Sequence, residues 1–163
     1  MWKKVWKTFG LVFRGSFEHR IDPKGRLPVP AAFRRALGKS GQAGLVVTLH
    51  DQCLAVYAAS EWSRLEQQLL SLPPFAKSTQ ALSRRLASQA ADAKLDVQGR
   101  ILLPPMLRRA AGLASDVTVI GVLNRFEIWS PDAWAAFLRD SEQLLDDAAL
   151  NAAWPAPPST GKT

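Results

Sequence analysis

From Phe13 to Ile21, the residues Phe13, Gly15, Phe17, His19 and Ile21 alternate with Arg14, Ser16, Glu18 and Arg20. That period of two predicts a half-buried strand. Asp22 and Gly25 then supply a turn, because an aspartate accepts local amides and a glycine tolerates positive φ. A short strand over Arg26 to Val29 follows. Pro30 suits a first helical position, Ala31 to Leu37 continues the helix, and Gly38 ends it as a left-handed cap. Leu45 to Leu49 and Cys53 to Ala58 are predicted to pair as a hairpin around His50-Asp51-Gln52.

The same order then returns: a strand around Lys94, a turn, a strand from Arg100 to Leu103, a helix from Pro105 to Ala111, and strands over Asp116 to Val122 and Arg125 to Trp129. Asp22-Pro23-Lys24-Gly25-Arg26 reappears as Asp96-Val97-Gln98-Gly99-Arg100. At a constant offset of 74, Asp22, Gly25, Arg26, Pro30, Arg34, Arg35, Ala36 and Gly38 all recur as the same residue type. The offset falls to 72 in the hairpin, where Leu54-Ala55-Val56-Tyr57 aligns with Phe126-Glu127-Ile128-Trp129. This is an internally duplicated module. Each copy is about fifty residues, small for an independent domain, so the two are expected to share one core.

Between the copies, Trp62, Leu65, Leu69 and Leu72 share a helical face, and Ser63-x-x-Glu66 resembles a capping box. Pro73-Pro74 interrupts this run, and Phe75 to Ala91 is read as a second helix with Leu82, Leu86 and Ala90 spaced for packing. Ser130-Pro131 opens a further helix through Trp134, Phe137, Leu138 and Leu145. Trp62, Trp134 and Phe137 suit either core packing or a seam between subunits. The expected organisation is a leader at 1–12, repeat one at 13–62, a helical connector at 63–90, repeat two at 91–134, a C-terminal helix at 135–146 and a disordered tail at 147–163. In the leader, Trp2, Val5, Trp6 and Phe9 interleave with Lys3, Lys4 and Lys7 in the manner of a membrane-surface helix. A disordered leader, or a start codon assigned too early, is the simpler expectation.

Composition narrows the function classes. The 163 residues are 47% apolar, enough for a core, without the roughly 18-residue apolar run of a membrane span. The net charge of +7 favours an anionic partner. Cys53 is the only cysteine, which excludes an internal disulfide and a thiolate zinc cluster. It reads as a small core residue. His19 and His50 lie in a strand and a hairpin without a metal-ligand cluster, and neither a Gly-rich phosphate loop nor a nucleophile elbow is present. An enzyme is not expected, and neither is a cofactor or a metal.

The duplicated Asp-x-x-x-Arg motifs at 22–26 and 96–100, together with Phe13-Arg14-Gly15 and Glu61-Trp62, resemble the MraZ family of bacterial regulators over about residues 13–146. The resemblance implies an α+β, mainly β fold: an AbrB/SpoVT-like swapped-hairpin, double-split β-barrel, built here as a pseudo-dimer from one chain. It further implies ring-like homo-oligomers that bind double-stranded DNA at short direct repeats upstream of the family's own division and cell-wall operon, usually as a repressor. A cytoplasmic, nucleoid-associated location follows from the same resemblance.

The residues support a DNA reading alongside that likeness. Arg26 and Arg100 each leave a turn at a strand start, where a guanidinium forks onto a phosphate or onto guanine O6 and N7. Asp22 and Asp96 would repel phosphate, so their expected task is to accept turn amides or aim the arginine. Gly25 and Gly99 permit the turn and a close backbone approach. Lys24 and Arg14, with Arg20, add positive charge to the first copy. The second copy has Lys94, and Gln98 replaces Lys24. Arg26 and Arg100 pairing only with their own aspartates is the alternative. Arg34-Arg35 and Arg108-Arg109 suit either DNA or a solvated or subunit-pairing face. An AbrB-type antitoxin and a membrane-tethered scaffold are the rival functions; antitoxins of that type normally carry one motif per chain.

Overall fold

In the computed structural model, residues 11–146 are described, so the leader readings at 1–10 and the tail readings beyond 146 lie outside the described residues. The described residues separate into two compact units, divided between Pro131 and Asp132. The first contains β1 (Ser16–Arg20), β2 (Arg26–Pro28), α1 (Ala31–Leu37), α2 (Ser40–Ala43), β3 (Leu45–His50), β4 (Cys53–Ala58), α3 (Ala59–Leu70) and α4 (Lys77–Ser88). It continues with β5 (Ala90–Ala93), β6 (Arg100–Leu102), α5 (Pro105–Ala110), β7 (Asp116–Val122) and β8 (Arg125–Trp129). The second unit carries α6 (Pro131–Ser141, whose first residue belongs to the first unit) and a 3-10 turn, Glu142–Asp146, with Trp134 and Phe137 stacked at 5.5 Å.

The fold is α+β and mainly β, and its two repeats exchange strands. One sheet runs β1-β7-β8-β4-β3-β5 and a separate pair is β2-β6. β1 of the first repeat pairs with β7 of the second, Phe17 opposite Val119, while β5 of the second pairs with β3 of the first, Val47 opposite Ala91. The hairpins meet at the seam, where Leu54 faces Ile128 and Val56 faces Phe126. β2 and β6 pair across the same pseudo-twofold relation, Leu27 opposite Ile101. This is the swapped-hairpin arrangement. The six-stranded sheet does not close on itself, so the barrel is split, with β1 and β5 as its edges.

Strand alternation sends Leu54, Val56, Phe126 and Ile128 into one shared core with Leu27, Ile101, Phe33 and Phe13. Phe13, Phe33 and Phe126 pack at centroid separations of 5.3–5.5 Å. Leu27 and Ile101 are completely buried, and burying a side chain of that size contributes about 1.5–3 kcal/mol. Neither repeat holds this core alone. A smaller cluster on the opposite sheet face joins Val46, Ala55, Tyr57 and Trp62.

Three readings change, and one element is new. Ala90 and Ala91 are strand rather than helix, because the open edge of β3 pairs with them. Alanine's helix preference of well under 1 kcal/mol yields to that ladder. The same strand ends at Ala93, before Lys94. The capping box at Ser63 is absent: α3 begins at Ala59, and the Glu66 carboxylate accepts Trp62 Nε1 at 2.7 Å instead. The short α2 helix was not legible from its four polar and small residues, Ser40-Gly41-Gln42-Ala43.

Candidate nucleic-acid interface

Each duplicated motif folds into the same hydrogen-bonded turn. Asp22 Oδ1 accepts the amides of Lys24 and Arg26 at 2.9 Å, and Asp22 Oδ2 accepts Arg26 Nε at 2.6 Å. Asp96 Oδ1 accepts the amides of Gln98 and Arg100 at 2.9 Å, and its Oδ2 accepts Arg100 Nε, also at 2.9 Å. The Gly25 and Gly99 amides donate back to the Asp22 and Asp96 carbonyls at 2.9 and 3.0 Å. The backbone amide of Arg26 has the largest effect on Asp22 and draws its carboxyl below the ordinary value; that of Arg100 does the same for Asp96. In both, partial burial opposes the shift without reversing it.

The β2-β6 pair brings the two turns together. Arg26 stands opposite Leu102, and Arg100 opposite Pro28. Leu103 N donates to Gly25 O at 2.9 Å, and Val29 N to Gly99 O at 3.0 Å, so each motif's glycine is held by the other repeat. Arg100 Nη1 comes within 4.0 Å of Asp22 Oδ2. The arginine side chains are 34% and 24% exposed, neither sealed nor free of the protein surface. Their short pairings use Nε.

Two further arginines close over the turns. Arg34 Nε donates to Val29 O and Arg108 Nε to Leu103 O, each at 3.2 Å. A Cβ built on Gly25 would lie 3.0 Å from Arg108 Nη2, and one on Gly99 only 2.6 Å from Arg34 Cδ. Each short helix therefore lays an arginine over the other repeat's motif. The sequence signal for this pair was their exact-offset recurrence; which turn each would cover depends on strand exchange.

Lys24 and Gln98 are exposed at the tips of the two turns. Arg14 is exposed too, but it precedes β1 whereas the turn follows it, some 20 Å or more along an extended chain. The structure thus separates Arg14 from Arg26 instead of grouping them. Arg20 pairs with Asp116 across β1-β7 at 2.7 Å. Lys94 is exposed just beyond β5. His50 and Cys53 are not isolated as expected: with Glu127 they bring three potential ligand atoms within 4.8 Å of one another.

Strand-exchanged tandem repeats with paired Asp–Arg turns define a single-chain pseudo-dimer, its two turns joined through the β2-β6 pair. The family model described as "MraZ protein, putative antitoxin-like" matches twice, at residues 12–85 and 86–153. The chain belongs to the MraZ family. It is 46% identical over 141 residues to the protein named Transcriptional regulator MraZ of Ligilactobacillus salivarius (strain UCC118), covering 86% of this chain and 96% of that one. Proteins of the same name from Natranaerobius thermophilus and Thioalkalivibrio sulfidiphilus are 42% and 43% identical, covering 85% of this chain and 94% and 96% of theirs.

Proposed function

We propose that this chain is a sequence-specific, DNA-binding transcriptional regulator and not an enzyme. It represses its own division and cell-wall operon from short upstream direct repeats, acting as a ring-like homo-oligomer in the cytoplasm at the nucleoid. The observation that carries the reading is the convergence of the two Asp–Arg turns through β2-β6, with Arg34 and Arg108 laid across them. Four guanidiniums on one pseudo-twofold offer bidentate donors to phosphates or guanine edges. Asp22 and Asp96 act by aiming Arg26 and Arg100, since their oxygens already accept turn amides. Lys24 and Gln98 reach outward on either side, and Arg14 is an outlying phosphate contact. The relatives' shared name supports the regulatory role.

The test is binding to the gene's own upstream region across salt concentrations, comparing wild type with Arg26→Ala and Arg100→Ala. Losing a base-reading fork costs about 1–3 kcal/mol, or roughly 5- to 150-fold in affinity, and relaxes sequence preference. Folded variants that bind as tightly and selectively as wild type would remove the arginines from the interface. No helix among the described residues is long and apolar enough to cross a membrane.

A further inference from the structure

On the sheet face away from the main core, three side chains of ligating type converge at the seam between the repeats. His50 and Cys53 face each other across the tight β3-β4 turn, and Glu127 on β8 pairs with Ala55 on β4. An imidazole nitrogen, the Cys53 thiol and a Glu127 carboxylate oxygen lie within 4.8 Å of one another. Cys53 and Glu127 are buried, while His50 is exposed and opens the cluster to solvent. We propose that His50, Cys53 and Glu127 form a binding site for a borderline-soft divalent transition metal, with zinc the best-matched ion.

The donor set selects the ion class. Imidazole, thiolate and carboxylate together suit zinc, whereas calcium and magnesium require oxygen ligands. Bond lengths of about 2.0–2.3 Å put tetrahedral ligand atoms about 3.3–3.8 Å apart, so these donors, now within 4.8 Å of one another, need to close by about 1.5 Å at most. His50, exposed beside a two-residue turn, has the freedom to do so. Glu127 is already oriented: Oε2 accepts Trp129 Nε1 at 3.0 Å and Oε1 accepts Arg125 Nε at 2.9 Å. Such outer partners hold metal-binding carboxylates in place. Arg125 is the charge that opposes a cation here. Its Cζ already sits 6.0 Å from the Tyr57 ring centroid, an aromatic face to which it can turn.

Coordination by the Cys53 sulfur releases the thiol proton to solvent, so the metal binds more tightly as pH rises. The internal repeat offers a comparison within the chain. At the equivalent positions Val122 replaces His50, Arg125 replaces Cys53 and Ala55 replaces Glu127. All three ligand types fall on one side of the pseudo-twofold, and their mates carry none. A bound ion would staple the first repeat's hairpin to β8 of the second, away from the Asp–Arg turns.

The full chain, reduced and chelator-stripped, is titrated with cobalt(II) near neutral pH. A thiolate-to-cobalt charge-transfer band should appear, saturate at one equivalent and vanish when zinc is added. Cys53→Ser should lack the band, and His50→Ala and Glu127→Gln should each bind about 10-fold more weakly or worse. Zinc should raise the unfolding temperature of wild type but not of His50→Ala, whose exposed position makes it the variant to rely on if Cys53→Ser does not fold. Absence of the band in folded wild type overturns the site. Wild-type affinity in either His50→Ala or Glu127→Gln overturns it equally, as adventitious binding to a thiol.

Discussion

At each motif, one aspartate satisfies two backbone amides and one guanidinium nitrogen, and this is what fixes the direction of Arg26 and Arg100. Both carboxyls are held below the ordinary aspartate value in the folded protein, chiefly by the backbone amides of Arg26 and Arg100. A depressed folded value means that the stabilisation is complete above the unfolded value and is lost as pH falls through the lower, folded one. Wild type should therefore lose stability on acidification below about pH 4. Asp22→Asn combined with Asp96→Asn should be less stable at neutral pH and show a shallower decline below it. Urea unfolding at a series of pH values measures this, and parallel profiles for wild type and variant would contradict it.

At the scale of elements, the short helices α1 and α5 each lay an arginine over the opposite repeat's turn. Gly25 at φ 85° and Gly99 at φ 73° each accept a covering arginine because they have no Cβ. Gly99→Ala and Gly25→Ala should each destabilise by about 1–3 kcal/mol from backbone strain. Gly99→Ala should cost more, since its Cβ meets Arg34 Cδ at 2.6 Å whereas Gly25 meets only the flexible tip of Arg108 at 3.0 Å. Adding Arg34→Ala to Gly99→Ala should recover part of the loss. Thermal unfolding of the three variants checks the order, and an equal cost at both glycines would argue against cross-repeat covering.

Across the whole molecule, strand exchange makes the two motifs neighbours, yet they remain chemically unequal. Lys24 caps one turn and Gln98 the other, both exposed. If Lys24 contacts a phosphate, Lys24→Ala should reduce the log–log salt slope of DNA binding by about 0.9, while Gln98→Ala leaves it unchanged. Fluorescence titrations from low to moderate salt distinguish the two, and equal slopes would refute the asymmetry. One chain presents few base-reading groups, so multivalent engagement of successive repeats would add about 10²–10⁴ in avidity where the spacing allows.

Periodicity and the duplicated pentapeptide determined most of the elements, including α1, β7 and β8, because hydrophobic alternation and turn chemistry are local properties. The same local signals marked Asp22, Arg26, Asp96 and Arg100 as a repeated constellation. They misassigned Ala90-Ala91, where a partner strand decided the outcome from a distance, and Ser63, where the Trp62 indole one turn away takes the Glu66 carboxylate. Only the tertiary structure could show that Arg34 covers Gly99, that Arg108 covers Gly25, and that His50, Cys53 and Glu127 share one corner. Those encounters join residues far apart in sequence. They are set by which strand pairs with which across the pseudo-twofold, and no window of sequence contains that pairing.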